Sequence, residues 1–106
     1  MNDQTIKADA GKLRPSLVPT EAIWAIAEIR EYGTAKYGDS ENWRKVEVER
    51  YRDAAYRHWL HYIEDPAGRD RESGFPHLWH CLCNLAFLAE LEQDKFIDQE
   101  EGPEWT

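Results

Sequence analysis

The chain has 106 residues, 42% of them hydrophobic and 32% charged. That is enough for one small folded domain and too little for a multidomain enzyme. Its formal charge of −8 argues against duplex DNA as a partner for the whole surface. The charge is uneven: residues 89–106 hold seven acids and one lysine, Lys95. No apolar run approaches the roughly 18 residues of a membrane span. Met1–Ala10 is polar and lacks a signal-peptide core. Cys81 and Cys83 stand too close for an ordinary bridge, so buried thiols in a reducing cytoplasm are expected.

Residues 1–19 read as an extended arm. Lys12-Leu13-Arg14-Pro15 and Val18-Pro19 place residues before proline, where the helical region is disfavoured. Thr20 is the expected cap of a first helix over 21–32, carrying Ile23, Ile26, Ala27 and Arg30 at helical spacing. Gly33 is expected to end or interrupt it, and Gly38-Asp39-Ser40-Glu41-Asn42 forms a turn cluster. A second helix is predicted from about Val48 to Asp65, where Tyr51, Ala55, His58 and Tyr62 make one stripe that Ala54, Trp59 and Ile63 widen. Pro66-Ala67-Gly68 ends it. A third helix starts near Pro76 and continues to about Gln93, with Leu78, Leu82, Leu85 and Ala89 in line. The tail from Asp94 is acidic and is expected to fray. Together these predict a single all-α domain: three main helices and an irregular N-terminal arm, a small bundle completed by oligomerisation, because a chain this short buries little core by itself.

His77-x-x-His80-x-x-x-Asn84 places three polar groups on one helical face. The second helix offers Asp53, Arg57 and His58, and antiparallel packing brings the two sets to one pocket. Asp53 and Arg57, four residues apart, are spaced to pair with each other. Imidazole and carboxylate suit a divalent transition metal, and Arg57 suits a phosphate oxygen. Hydrogen-bonded histidines at the edge of a core are the plainer reading. Lys12, Arg14, Lys36, Arg44 and Arg57 are candidates for phosphate contacts, against a background in which such charges are ordinarily solvated. Tyr37 and Trp43 sit in a turn segment, where an aromatic stacks on a nucleobase or staples a helix end. Glu28 and Glu31, with Glu49 and Asp53, give a weak paired-carboxylate pattern for Mg²⁺, and Glu72 is a loop acid within reach of the histidines by sequence.

Five blocks stand in order: Gly11-Lys12-Leu13-Arg14-Pro15-Ser16-Leu17-Val18-Pro19; Tyr32-Gly33-x-x-Lys36-Tyr37-Gly38; Asn42-Trp43-Arg44-Lys45; Arg50-Tyr51-x-Asp53-Ala54-Ala55-x-Arg57-His58; and Glu72-Ser73-Gly74-x-x-His77-Leu78-x-His80. The set resembles the N-terminal domain of phage dATP/dGTP diphosphohydrolases, relatives of the all-α MazG-type NTP pyrophosphohydrolases. The resemblance implies cleavage of a purine dNTP to dNMP and pyrophosphate with a divalent metal, Mg²⁺ or Mn²⁺, in phage control of the nucleotide pool, within the host cytoplasm. One difference stands out: His77-x-x-His80 occupies the third helix where MazG-type enzymes carry an acidic pair.

On this reading Asp53 and His58 are the catalytic candidates. Lys12, Arg14, Lys36, Tyr37, Trp43, Arg57 and Asn84 contact the nucleotide, and Asp53, His58, His77 and His80 hold the metal. The protein is then a homodimer or larger. A second expectation is a non-catalytic protein that sequesters a nucleotide or nucleotide-derived signal, with the histidines and Asn84 hydrogen-bonding base or ribose. A third is an interaction module whose histidines are structural.

Overall fold

The computed structural model describes residues 10–97; residues 1–9 of the arm and 98–106 of the acidic tail lie outside the described residues. The described chain is all-α, with helices α1 (Thr20–Tyr37), α2 (Val48–Glu64), α3 (His77–Leu91) and a final turn α4 (Asp94–Ile97). Two 3-10 turns, Pro15–Leu17 and Asn42–Lys45, precede α1 and α2. Among the described residues the one β feature is an isolated bridge between Arg69 and Pro76. No helix among the described residues is long and apolar enough to cross a membrane.

α1 differs from its expected outline at both ends. Thr20 is the first helical residue and not the cap; Pro19 occupies the cap position, and its carbonyl accepts the Ala22 N–H at 3.2 Å. The helix runs straight through Gly33. An interior glycine costs only about 1 kcal/mol relative to alanine, too little to end a helix by itself. The terminator is Gly38, whose φ of 73° lies in the left-handed region and whose N–H caps the Thr34 carbonyl at 2.7 Å.

α2 and α3 agree closely with their expected spans, and they run antiparallel. His58 meets His77 and His80, Tyr51 meets Phe87, and Arg52 reaches Glu92, so positions rise on one helix as they fall on the other. The buried side chains among the described residues are mostly small: Ala25, Ala55, Cys81 and Cys83, with Ile29 the one large residue. Both cysteines are free and buried, as their spacing suggested, and burial pushes the Cys83 thiol up to about 11. The stripe on α2 is narrower than its sequence implies. Tyr51, Ala55, His58 and Tyr62 turn inward, whereas Trp59 and Ile63 stay exposed, because α3 covers only one side of the helix.

Candidate nucleotide cleft and histidine file

A cleft of about 690 Å³ opens between α1, the 39–46 segment, α2, the 70–72 loop and α3. The lengthened α1 brings Arg30, Tyr32, Lys36 and Tyr37 to one wall. α2 supplies Arg50, Asp53, Arg57 and His58, and α3 supplies His80, Asn84 and Phe87. The cleft thus gathers four cations and four carboxylates in a chain whose overall balance is −8. Arg50 and Arg57 have no ion-pair partner among the described residues. Asp53 therefore does not pair with Arg57, despite their four-residue spacing; both side chains face the open cleft.

At one end of the cleft the aromatics pack on each other. Trp43 stacks on Phe87 with ring centroids 4.6 Å apart, worth about 0.5–1.5 kcal/mol beyond buried area. Its carbonyl accepts the Tyr51 hydroxyl at 2.7 Å, and the Arg44 guanidinium lies 4.4 Å from its ring centre. Trp43 is thus a fixed part of the wall, while Tyr37 is 62% exposed at the rim. Lys36 is held there by an ion pair with Glu72. The Lys36 ammonium, with the Tyr32 hydroxyl, keeps the Glu72 carboxyl below its ordinary value.

At the other end all four histidines of the chain form a file. His80 stacks on His58 with centroids 4.7 Å apart, His58 lies 5.1 Å from His77, and His77 stacks on His61 at 4.6 Å. His58 Nδ1 and His77 Nδ1 are 2.8 Å apart, so one ring donates its proton to the other. Burial, reinforced by His80 and His77, lowers the His58 pKa to about 4. Burial also lowers His80, although Asp70 opposes this. Both imidazoles are therefore neutral at pH 7, the form that ligates metals.

Asp70 also belongs to this end, although no sequence pattern singles it out. Its side chain comes from the α2–α3 loop, where Asp70 N–H donates to the Phe75 carbonyl and Gly74 N–H to the Asp70 carbonyl, both at 2.8 Å. Gly74 closes that turn with φ 77°, a conformation costly for any residue with a Cβ. Burial works against the Asp70 carboxylate, but the Ser73 N–H bond at 2.9 Å and the nearby His80 and His58 outweigh it and hold its pKa below the ordinary value. Ser73 also bonds His80: Oγ lies 2.6 Å from Nε2. Gly68 allows the loop to close, since a Cβ there would stand 3.0 Å from the Asp65 carbonyl oxygen and 3.5 Å from the His77 ring.

Among the described residues, the set whose ligand atoms all lie within 4.8 Å of one another is His58, Asp70 and His77. Asp53 lines the cleft but is not part of that set, and His80 borders it, stacked on His58, bonded to Ser73 and with Nε2 4.0 Å from Asp70 Oδ2. Asn84 lines the cleft with its amide nitrogen bonded to the His80 carbonyl at 2.9 Å. Lys12 and Arg14 are exposed on the arm and do not line the cleft. Glu28 and Glu31 are exposed on α1 and Glu49 pairs with Arg52, so the paired-carboxylate pattern is not assembled into one group.

The chain matches the family described as dATP/dGTP diphosphohydrolase, N-terminal, over residues 2–100. It is 35% identical over 83 residues to a dATP/dGTP diphosphohydrolase of Salmonella phage PMBT28, a stretch that covers 78% of this chain and 28% of that relative. The chain thus corresponds to little more than a quarter of the relative's length. No solved structure matches it. On the extent of the first match, this chain belongs to the dATP/dGTP diphosphohydrolase N-terminal family.

Proposed function

We propose that the protein binds a purine deoxynucleoside triphosphate in the cleft and hydrolyses it to the monophosphate and pyrophosphate, as part of phage control of the nucleotide pool. The observation that carries this reading is the meeting, in one 690 Å³ cleft, of unpaired Arg50 and Arg57 with an exposed aromatic rim at Tyr37 and a histidine–carboxylate end. That volume falls within the range of about 300–1,000 Å³ usual for small-molecule sites. The name of the phage relative supports the same substrate class.

In this reading Arg57, Arg50 and Lys36 bind the phosphates, with arginine forks on the anionic oxygens. Tyr37 borders the base and Trp43 forms the wall behind it. Asn84 offers its side-chain oxygen to base or ribose. Asp53 and His58 orient the attacking water, and the Asp53 carboxylate is able to take its proton. A divalent ion bound beside them supplies charge to the phosphoryl oxygens and acidifies a water; Mg²⁺ and Mn²⁺ are the first to try. The cations on the cleft wall offset charge that develops on the leaving pyrophosphate.

A second copy of the chain belongs to this proposal. Tyr56, Trp59, Leu60 and Ile63, at i, i+3, i+4 and i+7, make an exposed apolar stripe on α2 facing away from the cleft, and a homodimer would cover it.

The test incubates purified protein with dGTP, dATP, GTP and ATP, with Mg²⁺, Mn²⁺ or chelator, and separates the products. Metal-dependent dNMP and pyrophosphate are expected. Nucleotide that disappears from solution in proportion to protein, and returns intact on denaturation, supports sequestration instead, a reading favoured by the unassembled carboxylate pattern. Nucleotide that remains free and intact removes both.

A further inference from the structure

We propose that His58, Asp70 and His77 form a site for one nitrogen-preferring transition-metal dication of the Zn²⁺ and Co²⁺ class, selected over Mg²⁺. As a participant in turnover this site rests on the nucleotide reading above, but its metal occupancy does not.

The donor set carries the inference. Two imidazole nitrogens and one carboxylate oxygen lie within 4.8 Å of one another, with the two Nδ1 atoms 2.8 Å apart. Ligands about 2.0–2.1 Å from a tetrahedral Zn²⁺ stand about 3.3 Å from each other. The rings therefore need only small rotations to exchange their mutual hydrogen bond for two metal bonds. Imidazole favours zinc, cobalt and iron, whereas Mg²⁺ prefers an all-oxygen shell.

The surroundings are those of a held ligand set. Asp70 is fixed by the Ser73 N–H and by the loop bonds to Phe75 and Gly74. His58 is backed by the ring of His80, which Ser73 Oγ anchors in turn. Such outer bonds fix ring orientation and carboxylate direction around a metal. Stacking alone accounts for imidazoles in a row. It does not account for a carboxylate, held by its own loop, within reach of both facing nitrogens. Since His58 and Asp70 also line the cleft, the remaining coordination positions open onto it.

The experiment strips the full chain with chelator, removes the chelator, and titrates Zn²⁺, Co²⁺ and Mg²⁺ by calorimetry, following the visible absorption of Co²⁺. Expected are one Zn²⁺ per chain and affinity at least about a hundredfold above Mg²⁺. Asp70→Asn and His77→Ala are expected to weaken Zn²⁺ at least about tenfold, while Asp53→Asn leaves Zn²⁺ affinity in place. Because a variant can fail to fold, the wild-type imidazole ¹⁵N shifts give a second readout: the Nδ1 signals of His58 and His77 move on Zn²⁺ addition. Unsaturable uptake, equal affinity for Mg²⁺, unchanged uptake in Asp70→Asn, or unmoved Nδ1 signals would each overturn the site. Pyrophosphate release is measured on the same samples. Zn²⁺ uptake without release keeps the site and removes the hydrolase reading; Mg²⁺-supported release from protein that takes up no Zn²⁺ does the reverse.

Discussion

The two faces of α2 differ sharply in what covers them. Toward α3, Tyr51 bonds the Trp43 carbonyl, Ala55 is buried, and His58 meets two other histidines. Away from α3, Tyr56, Trp59, Leu60 and Ile63 are between 42% and 64% exposed. The difference teaches that the chain completes its own cleft but not its own apolar burial. Small side chains at the inner contact let α3 approach closely, so the bundle is thin and one helix cannot cover both sides of its neighbour.

The comparison breaks most sharply at Ala55. Ala55→Asp sets an unpaired charge at a buried position and is expected to cost more than about 3 kcal/mol, read as a collapse of the urea midpoint. Next is Arg57→Ala, expected to lower nucleotide turnover about a hundredfold while the far-ultraviolet spectrum stays helical; unchanged turnover would separate Arg57 from the phosphates. pH sharpens the same face. With His58 lowered to about 4 from an ordinary 6.5, the unfolded chain takes up that proton first as acid is added. In chelator-treated protein this contribution is fully present above pH 6.5 and is lost as the pH falls toward about 4. His80, also lowered, adds in the same direction, and Asp70, held below its ordinary value, adds a further loss of the same sign at lower pH; thermal melts across that window check the sign. Gly74→Ala should cost about 1 kcal/mol or more through its left-handed backbone and displace Asp70, with a matching fall in melting temperature. Smallest is the outer face. Trp59→Ser with Ile63→Ser is expected to change the stability of a single chain by about 0.5 kcal/mol or less per site, yet to shift sedimentation from dimer to monomer. A monomeric wild type would remove the second copy from the proposal.

The helices were legible because apolar residues recur with helical spacing at Ile23 to Arg30, Tyr51 to Tyr62 and Leu78 to Ala89. Gly33 misled because a glycine inside a helix looks locally like its end, whereas the left-handed conformation that ends this helix is taken up at Gly38. Histidine convergence was legible for a related reason: i and i+3 on α3, set against α2, require one face and one antiparallel neighbour. Asp70 was not legible. It joins His58 and His77 through a loop whose path depends on Gly74 at positive φ and on Gly68 making room, neither of which leaves a periodic trace. Trp43 left two roles open from its place in a turn, stacking on a base or stapling a helix end, and the structure sets its ring against Phe87.

That fixed indole has a spectroscopic consequence. Trp43 is half-buried on the cleft wall, whereas Trp24 and Trp59 face water. Iodide in the solvent reaches Trp24, and Trp59 in the single chain, and suppresses their emission, which leaves a bluer residual fluorescence weighted toward the half-buried Trp43 and Trp79. A guest entering beside it alters the field around the ring and the position of the Arg44 guanidinium above it. The chain carries its own optical gauge of cleft occupancy, with no dye to attach.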